Sequence, residues 1–276
     1  MLMSKKRLNK LTRGEWLKYS ISVWTDLMPS KDDSSFKTRH PAIFPLELPV
    51  RMIRIFTHKY ETVLDPFMGT GTTLVACEQL MRNGIGIDIS SEFVGIAKER
   101  LAHVTSSPSA TRQLVYCDDS RNLLKYVNEE ESIDFLVTSP PYWKIQKVNK
   151  TFLKKEATPY TSLEDDLGNI EDYNEYLQGL IAVFSNAFRA LRPGKFAVID
   201  LMDVRIGDKF YALHADLIAR MKEIGFDLWD IIVWDRHQEY NALRAMRYPY
   251  TFYVNKVHEY LLFFHKPATD VRVHTM

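Results

Sequence analysis

The feature that most constrains this chain is a stretch near its middle that alternates strand and helix around a glycine-rich turn. TVLDPF (62–67) reads as a short buried strand, and TTLVACEQLMRNG (72–84) follows as a helix with Leu74, Val75, Leu80 and Met81 at helical spacing. GIGIDI (84–89) is a second buried strand, and SEFVGIAKERLAHV (91–104) a second helix. The alternation continues through strands 114–118 and 133–139. A helix over 171–191 comes next, with Leu177, Leu180, Ile181, Phe184, Phe188 and Leu191 on one stripe and Pro193-Gly194 ending it. Strand 195–201, helix 211–224 and strands 227–234 and 258–266 complete the chain. Strands that alternate with helices predict an α/β fold, a doubly wound and mostly parallel sheet. The last two strands lack a helix between them, which predicts an antiparallel edge. No second core is visible. One domain over 1–276 is therefore expected, with a basic N-terminal extension (1–39) and two insertions at 144–170 and 236–257.

Composition closes off other classes. Hydrophobic residues are 46% and charged residues 26%, ordinary values for a globular domain. No apolar run reaches the roughly 18–20 residues that cross a bilayer, and the basic N-terminus has no apolar stretch after it to make a secretory signal. Cys77 and Cys117 are too few for a disulfide framework or a four-cysteine zinc site; both read as core residues of a cytoplasmic protein. The eight histidines form no ligand-like cluster, so no metal is expected. Thirty-six basic residues against 35 acidic ones leave a net charge of +1. Any nucleic-acid partner must then be held by local patches. Two are basic: residues 1–20, and 144–155 with Lys144, Lys147, Lys150, Lys154 and Lys155. The run 164–175 is acidic. The plain reading of each run is a solvated face.

Two motifs carry chemistry. In Asp65-Pro66-Phe67-Met68-Gly69-Thr70-Gly71-Thr72-Thr73, glycine permits a tight turn and close approach of a ligand, and the next helix offers its free amide N–H groups. The following strand ends in Asp88, 17 residues beyond Gly71, where a carboxylate typically accepts hydrogen bonds from a ribose diol. The third glycine of the dinucleotide fingerprint is absent. The second motif, Ser139-Pro140-Pro141-Tyr142-Trp143, ends a strand. Its prolines fix the backbone and hold one small hydroxyl and two rings at the ligand edge of a parallel sheet.

Together, DPFMGTGTT and TSPPYW resemble the S-adenosylmethionine-dependent amino-methyltransferases of DNA, over most of the chain from about His40 to Lys266. The resemblance implies a Rossmann-like class I methyltransferase fold. His40-Pro41-Ala-Ile-Phe44-Pro45 is similar to the segment those enzymes fold over the methionine moiety of the cofactor. Cys117-Asp118-Asp119-Ser120-Arg121 resembles the element in which an acid reaches the adenine amine. The implied cofactor-binding residues are His40, Pro41, Phe44, Pro45, the turn 65–73 without Met68, Asp88, Asp118 and Asp119. Ser139, Pro140, Pro141 and Tyr142 are the implied catalytic residues. The Ser-Pro-Pro-Tyr form with HPAIFP is most similar to the N4-cytosine enzymes. Many enzymes with this glycine turn carry the proline motif before it, so the order here is a circular permutation of that layout.

Trp143 is expected to wall the base pocket or to support it, and Lys144, Lys147, Arg244 and Arg247, from the two insertions, to meet substrate. The stretch Arg236–Lys256 interleaves arginine with aromatic residues, which suits phosphate contact and base stacking. Its other reading is a loop packed on the sheet edge. The expected partner is double-stranded DNA, with a cognate restriction endonuclease as a further one, and the oligomeric state is not legible. Alternatives are N6-adenine methylation, methylation of RNA or of protein glutamine, and a DNA-binding module without catalysis.

Overall fold

The computed structural model describes residues 7–27, 45–104, 109–127, 130–144, 161, 163, 165–239, 245 and 247–268. His40, Pro41, Phe44, Lys147 and Arg244 lie outside the described residues, as do most of the 144–170 insertion and residues 28–39 of the basic extension.

Among the described residues, eight strands form one sheet. They are β1 (Val23–Trp24), β2 (Thr62–Asp65), β3 (Asn83–Asp88), β4 (Gln113–Cys117), β5 (Ile133–Thr138), β6 (Leu191–Leu201), β9 (Asp227–Asp235) and β10 (His258–His265), in the order β1-β9-β10-β6-β5-β2-β3-β4. A separate hairpin, β7 (Val204–Ile206) with β8 (Lys209–Tyr211), follows β6. All pairings in the large sheet are parallel except those of β10, which runs antiparallel to both β6 and β9. The antiparallel pair β9–β10 therefore sits at the expected edge, with the two-residue β1 outside it.

Helices α2 (Glu47–Phe56) and α3 (Thr72–Gln79) cover one face, and α5 (Tyr173–Ala190) and α6 (Leu213–Ile224) the other; α1 (Arg13–Tyr19) joins the first group and α4 (Ser91–Val104) packs on α3. β5 is central and every one of its residues is buried, the signature of a parallel strand covered on both sides. Asp172 caps α5 by accepting from the N–H groups of Asn174 and Glu175 at 2.8 and 3.0 Å. Pro193-Gly194 does not end that helix. Leu191 already enters β6, and the proline and glycine form a bulge in which β6 spends Leu191–Phe196 on the stretch β5 covers from Ile133 to Phe135. Gly84 and Gly86 lie where β3 packs on α3. A Cβ on Gly86 would stand 2.4 Å from Met68 Sδ and 2.8 Å from a Leu74 methyl, so a side chain there would have to displace both. Cys77 is buried as expected, but Cys117 is exposed: at that end of β4 its side chain faces solvent.

Candidate active site

The carboxyl ends of β2, β3, β4 and β5 bring both motifs to one edge of the sheet. The glycine turn leaves β2 and is held from several sides. Asp65 is fully buried; one of its oxygens accepts from Phe67 N–H (3.1 Å) and the Thr138 hydroxyl (2.6 Å), the other from the Thr73 hydroxyl (2.5 Å). This one carboxylate ties the end of β2, the start of α3 and the end of β5, directly before Ser139. Behind the turn, Arg100 of α4 is buried and donates to the Thr70 carbonyl (2.9 Å) and to the hydroxyls of Thr70 (3.0 Å) and Thr72 (2.9 Å). Gly71 adopts φ +80°, and a Cβ there would meet Ala97 Cβ at 2.8 Å. The buried Ser120 hydroxyl donates to the Pro66 carbonyl. Of the residues between Asp65 and Thr73, only Phe67 and Gly69 reach the surface. Asp65, Pro66, Thr70, Gly71, Thr72 and Thr73 shape the turn from within, and Gly69, at φ +52°, is its exposed backbone.

Asp88 closes the other side. One of its oxygens accepts from Gly69 N–H at 2.9 Å, the other from Ser90 N–H at 2.8 Å. The carboxylate is thus aimed by the turn, half-buried, with a second lone pair on each oxygen available to a diol. Burial pushes the carboxyls of Asp65 and Asp88 up to about 6 against their hydrogen bonds. Asp118 and Asp119 have local partners. Asp118 accepts from the Tyr126 hydroxyl (2.6 Å), Asn122 Nδ2 (3.0 Å) and Asp119 N–H (2.7 Å), which hold it down at about 2. Asp119 caps the short 3₁₀ helix Ser120–Lys125 and binds the Arg121 side chain at 2.7 Å. Pro45, the described end of the HPAIFP segment, is buried where α2 begins.

On the other side of this edge stands Ser139-Pro140-Pro141-Tyr142. Tyr176 of α5 is fully buried and donates its hydroxyl to the Pro141 carbonyl at 2.8 Å. Trp143 turns inward: its indole N–H donates to the Ile170 carbonyl at 2.9 Å, and its ring packs on Tyr173 and Tyr211 with centroids 5.0 and 4.7 Å away. The ring is buried and anchors the loop directly after Tyr142. Ser139 and Tyr142 are half-buried at the mouth, and among the described residues the Ser139 hydroxyl has no protein partner. The described acids of the run beside this loop are exposed, as the sequence implies, except one. Asp166 is buried and caps a short 3₁₀ turn, and Glu171 pairs with Lys144, whose ammonium also lies 5.3 Å from the Trp143 ring centroid. Arg247 pairs with Asp208 at 3.0 Å. Arg236 pairs with the buried Glu259 and packs over Trp234, so that its side chain is half-buried against the sheet.

The sequence reading missed Arg100 and Tyr176, which fix the two motifs from behind. Both sit on the buried stripes of their helices, at spacings that leave no doubt about the face: Phe93, Ile96, Ala97, Arg100 on α4 and Tyr176, Leu180, Val183, Ala187 on α5. A polar group on such a stripe must find an internal partner.

The site's donor set suits a nucleoside. It offers an exposed glycine backbone, a carboxylate aimed by two N–H groups, and a loop with no side chain in the way at Gly69. Comparison with known proteins agrees. The family model for DNA methylases matches residues 3–99 and 133–274. The type II methyltransferase M.BglI of Bacillus subtilis is 39% identical over 94 residues, 34% of this chain and 26% of that protein. M.HpaI of Haemophilus parainfluenzae is 48% identical over 62 residues, 22% and 20% of the two chains. The crystal structure of TTHA0409 from Thermus thermophilus with S-adenosyl-L-methionine is 30% identical over 54% of this chain and 51% of that one, with a TM-score of 0.37. The matched segments span about a fifth to a third of the curated relatives' length. With both motifs and most of its length inside the family model, the chain belongs to the N6/N4 DNA methylase family, whose cofactor is S-adenosylmethionine.

Proposed function

We propose that this chain transfers a methyl group from S-adenosyl-L-methionine to the exocyclic N4 amine of cytosine in double-stranded DNA. The observation that carries the reading is the half-buried Ser139 hydroxyl at the end of β5, one sheet position from the glycine turn of β2 and fixed by Asp65 through Thr138. A short hydroxyl before the proline pair, in place of a carboxylate, favours cytosine over adenine.

S-adenosylmethionine, when bound, supplies a methyl group activated by its sulfonium. Gly69, Phe67 and Asp88 are the residues that would hold it, with Asp88 accepting from the ribose hydroxyls. The rest is done by the second motif. The target base lies in a duplex and must be extruded, at a cost of about a few kcal/mol. Tyr142 stacks on the extruded ring. The amine is a weak nucleophile because its lone pair conjugates with that ring. Ser139 Oγ and the Pro140 carbonyl accept its two N–H groups and favour a pyramidal nitrogen with its lone pair free. The work is orientation and preorganised acceptors, not proton transfer through a strong base. A cognate restriction endonuclease is the partner this reading implies. Incubation with methyl-labelled cofactor and duplex DNA, with RNA and protein as control acceptors, tests the assignment. Label in DNA alone is expected, and label only in RNA or protein would overturn it.

Two further outcomes follow from the site. Asp65 and Asp88 have raised carboxyls in the folded chain, so the cost of burying them ionised is present above about pH 6. That cost shrinks as pH falls through 6 toward their unfolded value near ~4. Cofactor binding runs the opposite way, because ribose hydroxyls donate to the ionised form of Asp88. Calorimetry should show the cofactor Kd rising by up to about tenfold from pH 7 to pH 5, with Asp88→Asn flattening the profile. A flat profile in the unaltered protein would remove Asp88 from the cofactor site. Tyr176→Phe removes one hydrogen bond, worth about 1 kcal/mol, from the Pro141 carbonyl. It should lower kcat about fivefold while the KM for cofactor stays the same; an unchanged kcat would show that Tyr176 does not position the motif.

A further inference from the structure

Beyond β9 the chain leaves the sheet and returns to β10 through residues 247–257, which lie across the β7–β8 hairpin. The attachment is specific. Tyr253 donates its hydroxyl to Asp208 at 2.7 Å, and Arg247 pairs with the same carboxylate. The Arg205 guanidinium sits 4.5 Å from the Tyr253 ring and 5.2 Å from the Phe210 ring. Lys256 donates to the Asp203 carbonyl and lies 5.3 Å from the same Phe210 ring. Around the inward Tyr253 the exposed side chains are mostly apolar: Tyr250 and Phe252 are each 91% exposed, Val254 68%, and Tyr248 78%. A segment that met only water would expose its polar members. An exposed apolar row with polar neighbours marks an interaction site.

The charge around the row identifies the kind of partner. Arg205 and Lys209 of the hairpin and Arg247 and Lys256 of the segment itself lie along the same seam, on Tyr253, Phe210 and Tyr211. Asp208 is committed to Arg247 and Tyr253, and Asp203 is buried against His214 at 2.7 Å. Aromatic rings with a basic rim suit stacked bases and phosphates, whereas another apolar protein face would gain nothing from the cations. Position supplies the rest. Successive residues of β8 point to opposite sides. Phe210 meets Lys256 of the loop, while Tyr211 packs on Trp143, the residue directly after Tyr142. One hairpin thus carries both the aromatic row and the support of the base-holding loop.

We infer that Tyr248, Tyr250 and Phe252 form a stacking ridge that holds DNA bases beside the extruded target, with Arg205 and Lys209 on the flanking phosphates. The inference rests on DNA being the substrate. Its test is the double variant Tyr250→Ser, Phe252→Ser, both fully solvated positions, with circular dichroism as the check on folding. The probe is a fluorescein-labelled duplex bearing the site that the unaltered protein methylates, followed by anisotropy. Duplex affinity should fall about tenfold or more while cofactor affinity holds. Because the rings are uncharged, the slope of log affinity against log salt should stay the same; Arg205→Gln should instead reduce it by about 0.9. Unchanged duplex affinity in the double variant, with the unaltered protein methylating DNA normally, would overturn the ridge and leave the function standing. Concentration-dependent self-association lost only in that variant, with duplex affinity unchanged, would assign the row to a second copy of the chain and also overturn it. Failure of the unaltered protein to bind or methylate any duplex would remove both readings.

Discussion

Tyr142→Ala is expected to cut methyl transfer about 10²–10³-fold while cofactor and duplex still bind. The residues on either side of Tyr142 are fixed independently of its ring. Tyr176 holds the Pro141 carbonyl, and Trp143 is anchored through its indole N–H and its packing on Tyr173 and Tyr211. The substitution therefore removes the ring without collapsing the loop. Stacking on an aromatic is worth about 1–3 kcal/mol per base, and a base that is not held flat presents its amine to Ser139 only part of the time. Tyr142→Phe keeps the stacking face and should retain most of the turnover. Single-turnover rates with saturating cofactor measure this. An alanine variant with near-normal rates would show that the extruded base is held elsewhere.

Asp88→Ala should weaken cofactor binding by about 100-fold. The carboxylate accepts from Gly69 N–H and Ser90 N–H, and its loss leaves both backbone donors without that partner, each at about 1–3 kcal/mol when buried. The turn would lose the contact that sets the exposed Gly69 backbone, and the ribose would lose its acceptor. Calorimetry reads the affinity and circular dichroism the fold. Undiminished affinity with a retained fold would place the nucleoside away from β3.

Much of this arrangement could be read from the residues because it is local. Helix 91–104 was legible to its ends, and strands β2 to β5 to within a residue or two, because each is bounded by its own turn and all but β4 are buried runs. The missing pieces depend on partners far along the chain. β1 has two residues and pairs with Val233 and Trp234, so nothing near it in sequence marks it as a strand. Arg51 of α2 is buried because Asp26 takes it at 3.0 and 3.2 Å and the rings of Tyr19 and Trp24 flank it, a contact that joins the segment before the glycine turn to the sheet's edge.

Pro193-Gly194 reads as a helix stop because proline and glycine punctuate, yet a bulge uses the same two residues. Within the site, both motifs were legible, and their division of labour was not. That Asp65, Thr70, Thr72 and Thr73 face inward, and which of its two readings Trp143 takes, follows from Arg100, Thr138 and Ile170, which lie on other elements. The β7–β8 hairpin was hidden altogether: three-residue strands carry too little alternation to stand out.

The most direct measurement is nucleoside mass spectrometry of duplex DNA incubated with the protein and S-adenosylmethionine. N4-methylcytosine, dependent on both cofactor and Ser139-Pro140-Pro141-Tyr142, is the predicted product. N6-methyladenine alone would contradict the assignment of the base, and the absence of any methylated nucleoside would contradict the proposed activity itself.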